Sequence, residues 1–240
     1  MASSISLPQA SFAAATIASC VGSFISVTPP NPSKKDIPQT GDTMRSLKFT
    51  NKRTNRTVMG FFGLLGLHTS ALALQYPRIQ PSLIRHGLEN GLNTNLITWS
   101  SATTVPLALL LGAGIPLRLL SFSSLGKNFT FDLAEPDHLK TDGIYKYVQH
   151  PSYSGLIIVS IGNLALLMRT DGVLSCWISP KYFKPWRIFW SSIFIPVWVS
   201  LAFYGMWKRV RQEEDMLKAE FGEEWESWHA RTARFIPWIF

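Results

Sequence analysis

Five apolar stretches, each near the length of a bilayer-crossing helix, recur along this chain: 8–27, 57–75, 96–120, 153–169 and 186–207. A hydrocarbon core about 30 Å thick is crossed by about 20 apolar helical residues. Inside it every backbone N–H and C=O must find a partner within the protein, which a helix provides by itself. The stretches therefore predict an all-α integral membrane protein with about five transmembrane helices, embedded in a lipid bilayer. Charged residues are only 16% of the 240 and hydrophobic ones 46%, in keeping with apolar spans joined by sizeable polar loops. There is no P-loop, no Walker-type lysine and no HExxH, and no nucleic-acid partner is expected. Cys20 and Cys176 both lie in or beside apolar segments, so neither a disulfide scaffold nor a zinc site is expected.

The N-terminal segment Met1 to Gln9 carries no Lys or Arg, which argues against a cleavable signal peptide. Residues 8–27 are small and apolar; they either span or lie as an Ala/Ser tail on the membrane. Residues 28–57 hold four prolines and seven cations but almost nothing to bury. They read as a solvated loop that sets topology, with contact to anionic headgroups as the second reading. His68 falls inside the second span, and a hydrogen bond within the bundle is a better reading than a proton relay. The third span should kink at Pro106 and Pro116, and Arg118 at its end should snorkel to the interface. Residues 170–185, with Gly172, Pro180 and Pro185, read as a turn. Trp186 and Trp207 stand at the two ends of the fifth span, as interfacial anchors do. The chain divides on this reading into 1–57, an N-terminal span and basic loop; 58–120, two transmembrane helices; and 121–240, the functional core.

Positive charge orients the spans. With five crossings, loop 28–57, loop 121–152 and the C-terminal tail share one side and hold 7, 3 and 6 of the Lys and Arg, sixteen together; the opposite side holds five. The cation-rich side faces the cytosol.

Two polar stretches lie on that side, each at the end of an apolar segment. Residues 142–155 read DGIYKYVQHPSYSG and residues 209–222 read RVRQEEDMLKAEFG. Ionisable groups gathered where hydrocarbon meets water mark a functional site by default. Gly143, Tyr145, His150, Pro151 and Tyr153 match the pattern G-x-Y-x-x-x-R-H-P-x-Y, and Arg209, Glu213, Glu214, Leu217, Phe221, Gly222, Trp225 and Trp228 match R-x-x-x-E-E-x-x-L-x-x-x-F-G-x-x-Y/W-x-x-Y/W. In this order around a hydrophobic span, the double motif resembles the isoprenylcysteine carboxyl methyltransferase family, over about 120 residues from Leu120 onward. Two departures stand out. Gln149 occupies the place of the usual arginine before His-Pro, and the run Asp137 to Thr141 is about one residue shorter than the family's. If another cation replaces that arginine, Lys146 and Lys140 are the nearest in sequence, and restoring Arg at 149 should leave activity unchanged or raise it.

The resemblance implies S-adenosyl-L-methionine as cofactor, held by a cytosolic loop and a C-terminal helix rather than by a Rossmann fold, since no G-x-G-x-x-G follows a strand. It implies cofactor contacts from Leu139, Lys140, Tyr145, His150, Pro151, Ser152, Tyr153 and Glu213. Aromatic faces of Tyr145 and Tyr153 suit the sulfonium, Glu213 suits the ammonium group, and Pro151 fixes shape. The acceptor implied is the C-terminal carboxylate of a prenylated protein or another lipophilic acceptor, positioned by the planar fork of Arg209. A carboxylate is already ionised at pH 7, so alignment matters more than a general base. The location implied is the endoplasmic reticulum membrane. The helix over 208–234 should break near Gly222, place Arg209 and Glu213 on one face, and lay Trp225 and Trp228 against the membrane surface. Alternatives are a methyltransferase acting on a phospholipid amine, a sterol-reductase-like enzyme, and a non-catalytic membrane scaffold.

Overall fold

The computed structural model describes residues 5–31, 52–131 and 135–237. Most of the basic loop expected over 28–57 lies outside them. Among the described residues the chain is helical, and its nearest approach to a sheet is an isolated parallel bridge between Val148 and Ala233. The protein is an all-α integral membrane protein.

The first helix, α1, runs Leu7–Val27 and opens with a capping box between Ser6 and Gln9. Its buried side is unusual: Phe12, Thr16, Ser19, Ser23 and Ser26 recur at spacings of four and three, while Ile17, Val21, Phe24 and Ile25 face outward. Small and hydroxylic residues inside with large apolar ones outside is the pattern of a helix in lipid, where close packing replaces the hydrophobic effect as the force between helices. The serine hydroxyls are satisfied locally or across helices, whereas the Thr16 hydroxyl has no hydrogen-bond partner among the described residues. Ser19 and Ser26 donate to carbonyls three residues back, at 2.8 and 2.9 Å, and Ser23 accepts from Asn163 at 2.9 Å. Of the two readings of 8–27, the structure supports a helix long and apolar enough to cross.

α2, Lys52–Gln75, packs along α1. In it His68 accepts from the Trp177 indole on Nδ1 and faces the Leu83 carbonyl with Nε2, both at 2.8 Å. The two contacts fix the tautomer with the proton on Nε2, and His68 is a structural histidine, as expected.

α3, Ser101–Leu109, and α4, Ile115–Leu125, form one rod joined by a π-helical turn at Leu110–Gly114. α5, Pro151–Leu167, follows the polar loop and, at 17 residues, is shorter than α1 and α2. α6, Pro180–Phe189, and α7, Ile195–His229, make a second rod with its own π turn at Trp190–Phe194. Both π turns run directly into an Ile-Pro pair, Ile115-Pro116 and Ile195-Pro196. A proline inside a helix cannot donate to the carbonyl four residues back and its ring crowds that carbonyl; widening the preceding turn relieves both problems. Residues 180–185 are not the expected turn, because Pro180 opens α6 at a first-turn position that needs no N–H.

The α6–α7 rod runs 50 residues from Pro180 to His229. At 1.5 Å per residue that is about 75 Å, more than twice the hydrocarbon thickness. Its charged second half therefore lies beyond the membrane. Gly222 bends it there, at φ 50 and ψ −121. No atom crowds Gly222, so the backbone angle, open to glycine without cost, is what calls for it.

Two cores result. The larger joins α1, α2, the α3–α4 rod and α5 around Phe12, Leu65, Leu72, Leu110 and Leu167. The smaller holds Leu139, Tyr145, Trp225 and Trp228 together at the motif end. The two tryptophans thus depart from their expected place on the membrane surface. Trp225 and Trp228 are buried, and the Trp228 indole donates to the Tyr145 carbonyl at 2.8 Å.

Candidate active site

The site forms where the first turn of α5 meets the first charged turns of α7. Pro151 occupies N1 of α5, where its missing N–H costs nothing. The His150 carbonyl then accepts from the N–H groups of Tyr153 and Ser154, at 3.1 and 3.2 Å. This places the His150 ring and the Tyr153 side chain toward α7. From α7 come Arg209, Glu213 and Glu214, spaced four and one apart.

Tyr153 joins the two motifs. Its hydroxyl donates to Glu213 Oε2 at 3.0 Å and accepts from Arg209 Nε at 3.4 Å. Arg209 is buried and also donates through Nη2 to the Phe131 carbonyl at 3.1 Å. The His150 ring stands between two adjacent carboxylates. Nδ1 is 3.9 Å from Glu213 and Nε2 is 3.6 Å from Glu214, both too long for a hydrogen bond. His150 Nε2 is buried with no hydrogen-bond partner. Glu213 is about a third exposed at 31%, so its carboxylate is open to a ligand, whereas Glu214 at 4% is closed off.

Glu214 is the electrostatic keystone. Arg234 grips it with Nε to Oε1 at 2.7 Å and Nη2 to Oε2 at 3.4 Å, and Arg211 reaches Oε2 at 3.3 Å. Burial pushes the Glu214 carboxyl up, and His150 and Arg234 beside it more than offset that, holding it down at about 2. Tyr145, buried and facing the negative charge of Glu213, is pushed above the ordinary phenol range and stays neutral.

The other site residues expected from the sequence fall in three places. Tyr145 and Leu139 belong to the tryptophan cluster. Lys140 pairs with the exposed Asp142 at 2.8 Å. Ser152 turns away from Tyr153 and hydrogen-bonds through its hydroxyl to Arg118. Arg118 does not snorkel as its position suggested: only 4% exposed, it is turned into the protein.

Gln149 is neither vacant nor compensated by a nearby lysine. Its Nε2 donates to the His229 carbonyl at 3.2 Å and to the Thr232 carbonyl and hydroxyl at 2.8 and 2.9 Å; its Oε1 accepts from His229 Nδ1 at 2.9 Å. The backbone joins in, with Gln149 N–H donating to Ala233 and His150 N–H to Arg234. This segment carries Arg234 to Glu214. The cation that reaches the acidic pair comes from the far end of the chain, while Lys140 serves Asp142 and Lys146 lies over the Tyr147 ring.

Sequence reasoning gave no site role to Glu214 or Arg234 and read Arg118 as a snorkelling end residue. Glu214 was visible as the second member of a Glu-Glu pair. Arg234 and Arg118 carried no local signal, because their partners lie on other helices.

The model of the isoprenylcysteine carboxyl methyltransferase family matches residues 106–219. The chain is 28% identical over 127 residues to a protein-S-isoprenylcysteine O-methyltransferase of Dictyostelium discoideum, covering 51% of this chain and 44% of that protein. It is 30% identical over 127 residues to the Schizosaccharomyces pombe enzyme of that name, again 51% and 44%, and 25% identical to the Arabidopsis thaliana enzyme B, 51% and 53%. The chain spans about half the length of the curated relatives it matches. The matched region runs from the α3–α4 rod through the first motif and into the second, and over residues 106–219 this chain is similar to the isoprenylcysteine carboxyl methyltransferase family.

Proposed function

We propose that the protein transfers the methyl group of S-adenosyl-L-methionine to the C-terminal carboxylate of a prenylated cysteine, at the cytosolic face of the endoplasmic reticulum membrane. The observation that carries this reading is the meeting of Tyr153, Glu213 and Arg209 on one hydroxyl oxygen beside His150. An acidic and a basic group of fixed orientation stand side by side at the membrane edge of the charged helix. A cytosolic face rests on the asymmetry of Lys and Arg, and the organelle rests on the resemblance.

The residues fit such a cofactor. Glu213 is open enough to receive an ammonium group, Tyr145 and Tyr153 offer aromatic faces to a sulfonium, and buried His150 stands between the two carboxylates. Pro151 and Ser152 shape the backbone beside them, while Leu139 and Lys140 border the loop. When bound, the cofactor supplies an electrophilic methyl group. Arg209 fixes the acceptor carboxylate through its fork, and Tyr153 holds Arg209 and Glu213 in register. An ionised acceptor needs no base, so these residues act by orientation and by replacing water around the charges. The prenyl chain stays in the apolar surroundings of α5 and α7.

Purified protein incubated with labelled S-adenosylmethionine and either N-acetyl-S-farnesylcysteine or phosphatidylethanolamine tests the reading, with products identified by mass. Methyl ester on the farnesylcysteine supports it. Methylation of the amine instead assigns the chain to phospholipids, and no product from either acceptor removes the enzyme reading.

A further inference from the structure

Arg118 is the least expected charge in the protein. It sits on α4, 4% exposed, and among the described residues no carboxylate pairs with it. Its oxygen partners are neutral. Nε donates to the Ser26 carbonyl at 2.9 Å, and Nη1 donates to the Ser152 carbonyl at 3.4 Å and to the Ser152 hydroxyl. Three phenylalanine rings surround the guanidinium, with centroids 4.8 Å away for Phe122, 5.3 Å for Phe131 and 5.8 Å for Phe129. Ser26 lies in the last turn of α1, at the negative end of that helix's dipole. These contacts soften the cost of burying a cation without supplying a counter-charge.

The site is built for this side chain. A Cβ on Gly155 would come within 3.0 Å of both the Arg118 Cγ and its backbone nitrogen. The HPSYSG motif therefore leaves a slot for the arginine stem at Gly155 and an oxygen for its head at Ser152. A guanidinium has five N–H donors. The two on Nη2 make no hydrogen bond among the described residues, so half of the fork that grips a carboxylate is unspent. Phe131 connects this group to the site already described: its ring lies against Arg118 and its carbonyl accepts from Arg209. Tyr153, bonded to Arg209, directly follows Ser152, bonded to Arg118.

We infer that Arg118 is a second cationic ligand for a bound carboxylate, flanking Phe131 opposite Arg209. The carboxylate belongs either to the prenylcysteine acceptor or to the methionine end of the donor. This inference rests on the methyltransferase reading and adds a residue to it. A buried arginine with no acid among the described residues, its Nη2 without a hydrogen bond there and its stem seated by the motif itself, is suited to take up an anionic partner.

Binding discriminates the sources and the alternatives. The full chain, wild type and Arg118→Lys and Arg118→Gln, is titrated in lipid nanodiscs with four probes: N-acetyl-S-farnesylcysteine, its carboxamide, S-adenosylmethionine and decarboxylated S-adenosylmethionine. Wild type should prefer one carboxylate probe over its uncharged counterpart by about tenfold or more. The pair that loses this preference in the variants names the source. Arg118→Lys keeps a charge and guards against a misfolded Arg118→Gln; it should retain part of the preference. Unchanged preference in folded variants, or no preference in wild type, overturns the inference and leaves Arg118 a staple between α1, α4 and α5. Methylation of farnesylcysteine by wild type is measured alongside. If that activity is present and the preference unaltered, only the inference fails; if neither methylation nor binding occurs, the reading fails with it.

Discussion

Glu213 and Arg209 meet on a single oxygen, the Tyr153 hydroxyl, which donates to the carboxylate at 3.0 Å and accepts from the guanidinium at 3.4 Å. One turn of α7 presents both charges, and one turn of α5 sets their spacing. An isolated ion pair on a solvated helix would contribute about 0–1 kcal/mol and define no geometry. Here Arg209 is buried and Tyr153 ties both side chains to a second helix, so their relative geometry is fixed.

The grip of Arg234 on Glu214 should be worth more than a surface pair, because Glu214 is 4% exposed. Arg234→Ala leaves that carboxylate with Arg211 as its remaining arginine partner among the described residues and should cost about 1–3 kcal/mol. Thermal unfolding in detergent micelles measures it. A melting point equal to that of wild type would show the pair to be dispensable.

Acid should loosen the same junction. Glu214 titrates near 2 in the folded protein against an ordinary value of 4.5. The folded value lies below the unfolded one, so the stabilisation is present above pH 4.5 and is lost as pH falls toward 2. Melting temperatures taken between pH 7 and pH 3 should decline below about 4.5 in wild type and decline less in Glu214→Gln. Parallel curves would place the acid sensitivity elsewhere.

Gln149→Arg tests how the departure from the family pattern is accommodated. The sequence alone predicted that arginine here would be neutral or helpful. The contacts of Gln149 in the structure lead to the opposite prediction. Gln149 is 4% exposed, three of its contacts run from the amide nitrogen to oxygens, and its own oxygen accepts from His229. Arginine offers no acceptor and brings a cation near Arg234. A loss of about 1–3 kcal/mol is expected, and combining it with Arg234→Gln should recover part of it. Full activity and stability in the single variant would refute this account of the 147–150 and 229–235 junction.

Gly114 in the π turn before α4 and the glycines of α5 set the helix crossing beneath the site. A Cβ on Gly155 meets the Gly114 carbonyl oxygen at 2.9 Å, and one on Gly162 meets Leu110 at 2.6 Å. Gly155→Ala should destabilise by about 1–3 kcal/mol through overpacking against backbone. Gly60→Ala on α2, with nothing within 4 Å, should be neutral or slightly stabilising. Equal effects at the two positions would mean the crossing tolerates a methyl group.

Much of this was legible in the sequence for identifiable reasons. Apolar length announced the helices, and the fixed spacing of Arg209, Glu213, Gly222, Trp225 and Trp228 announced the charged helix and its bend. The four-residue step placed Arg209 and Glu213 on one face. What stayed hidden depends on contacts between distant segments. Trp225 and Trp228 read as amphipathic anchors until Leu139 and Tyr145 are brought over them. Arg118 reads as a snorkelling end residue until Ser26, Ser152 and three phenylalanines surround it. Arg234 has no local pattern; it is placed by the Val148–Ala233 bridge. Local spacing reports which face a residue occupies, and tertiary packing decides what that face meets.

The division of labour on α7 is most directly tested by calorimetric titration of S-adenosylmethionine into Glu213→Gln and Arg209→Lys, with turnover of farnesylcysteine measured on the same preparations. Glu213→Gln keeps the shape and removes the charge, and it should weaken cofactor binding about ten- to a hundredfold. Arg209→Lys keeps a charge and loses the fork, so cofactor affinity should hold within a few-fold while acceptor turnover falls. Wild-type cofactor affinity with intact turnover in Glu213→Gln would contradict the account and remove Glu213 from the site.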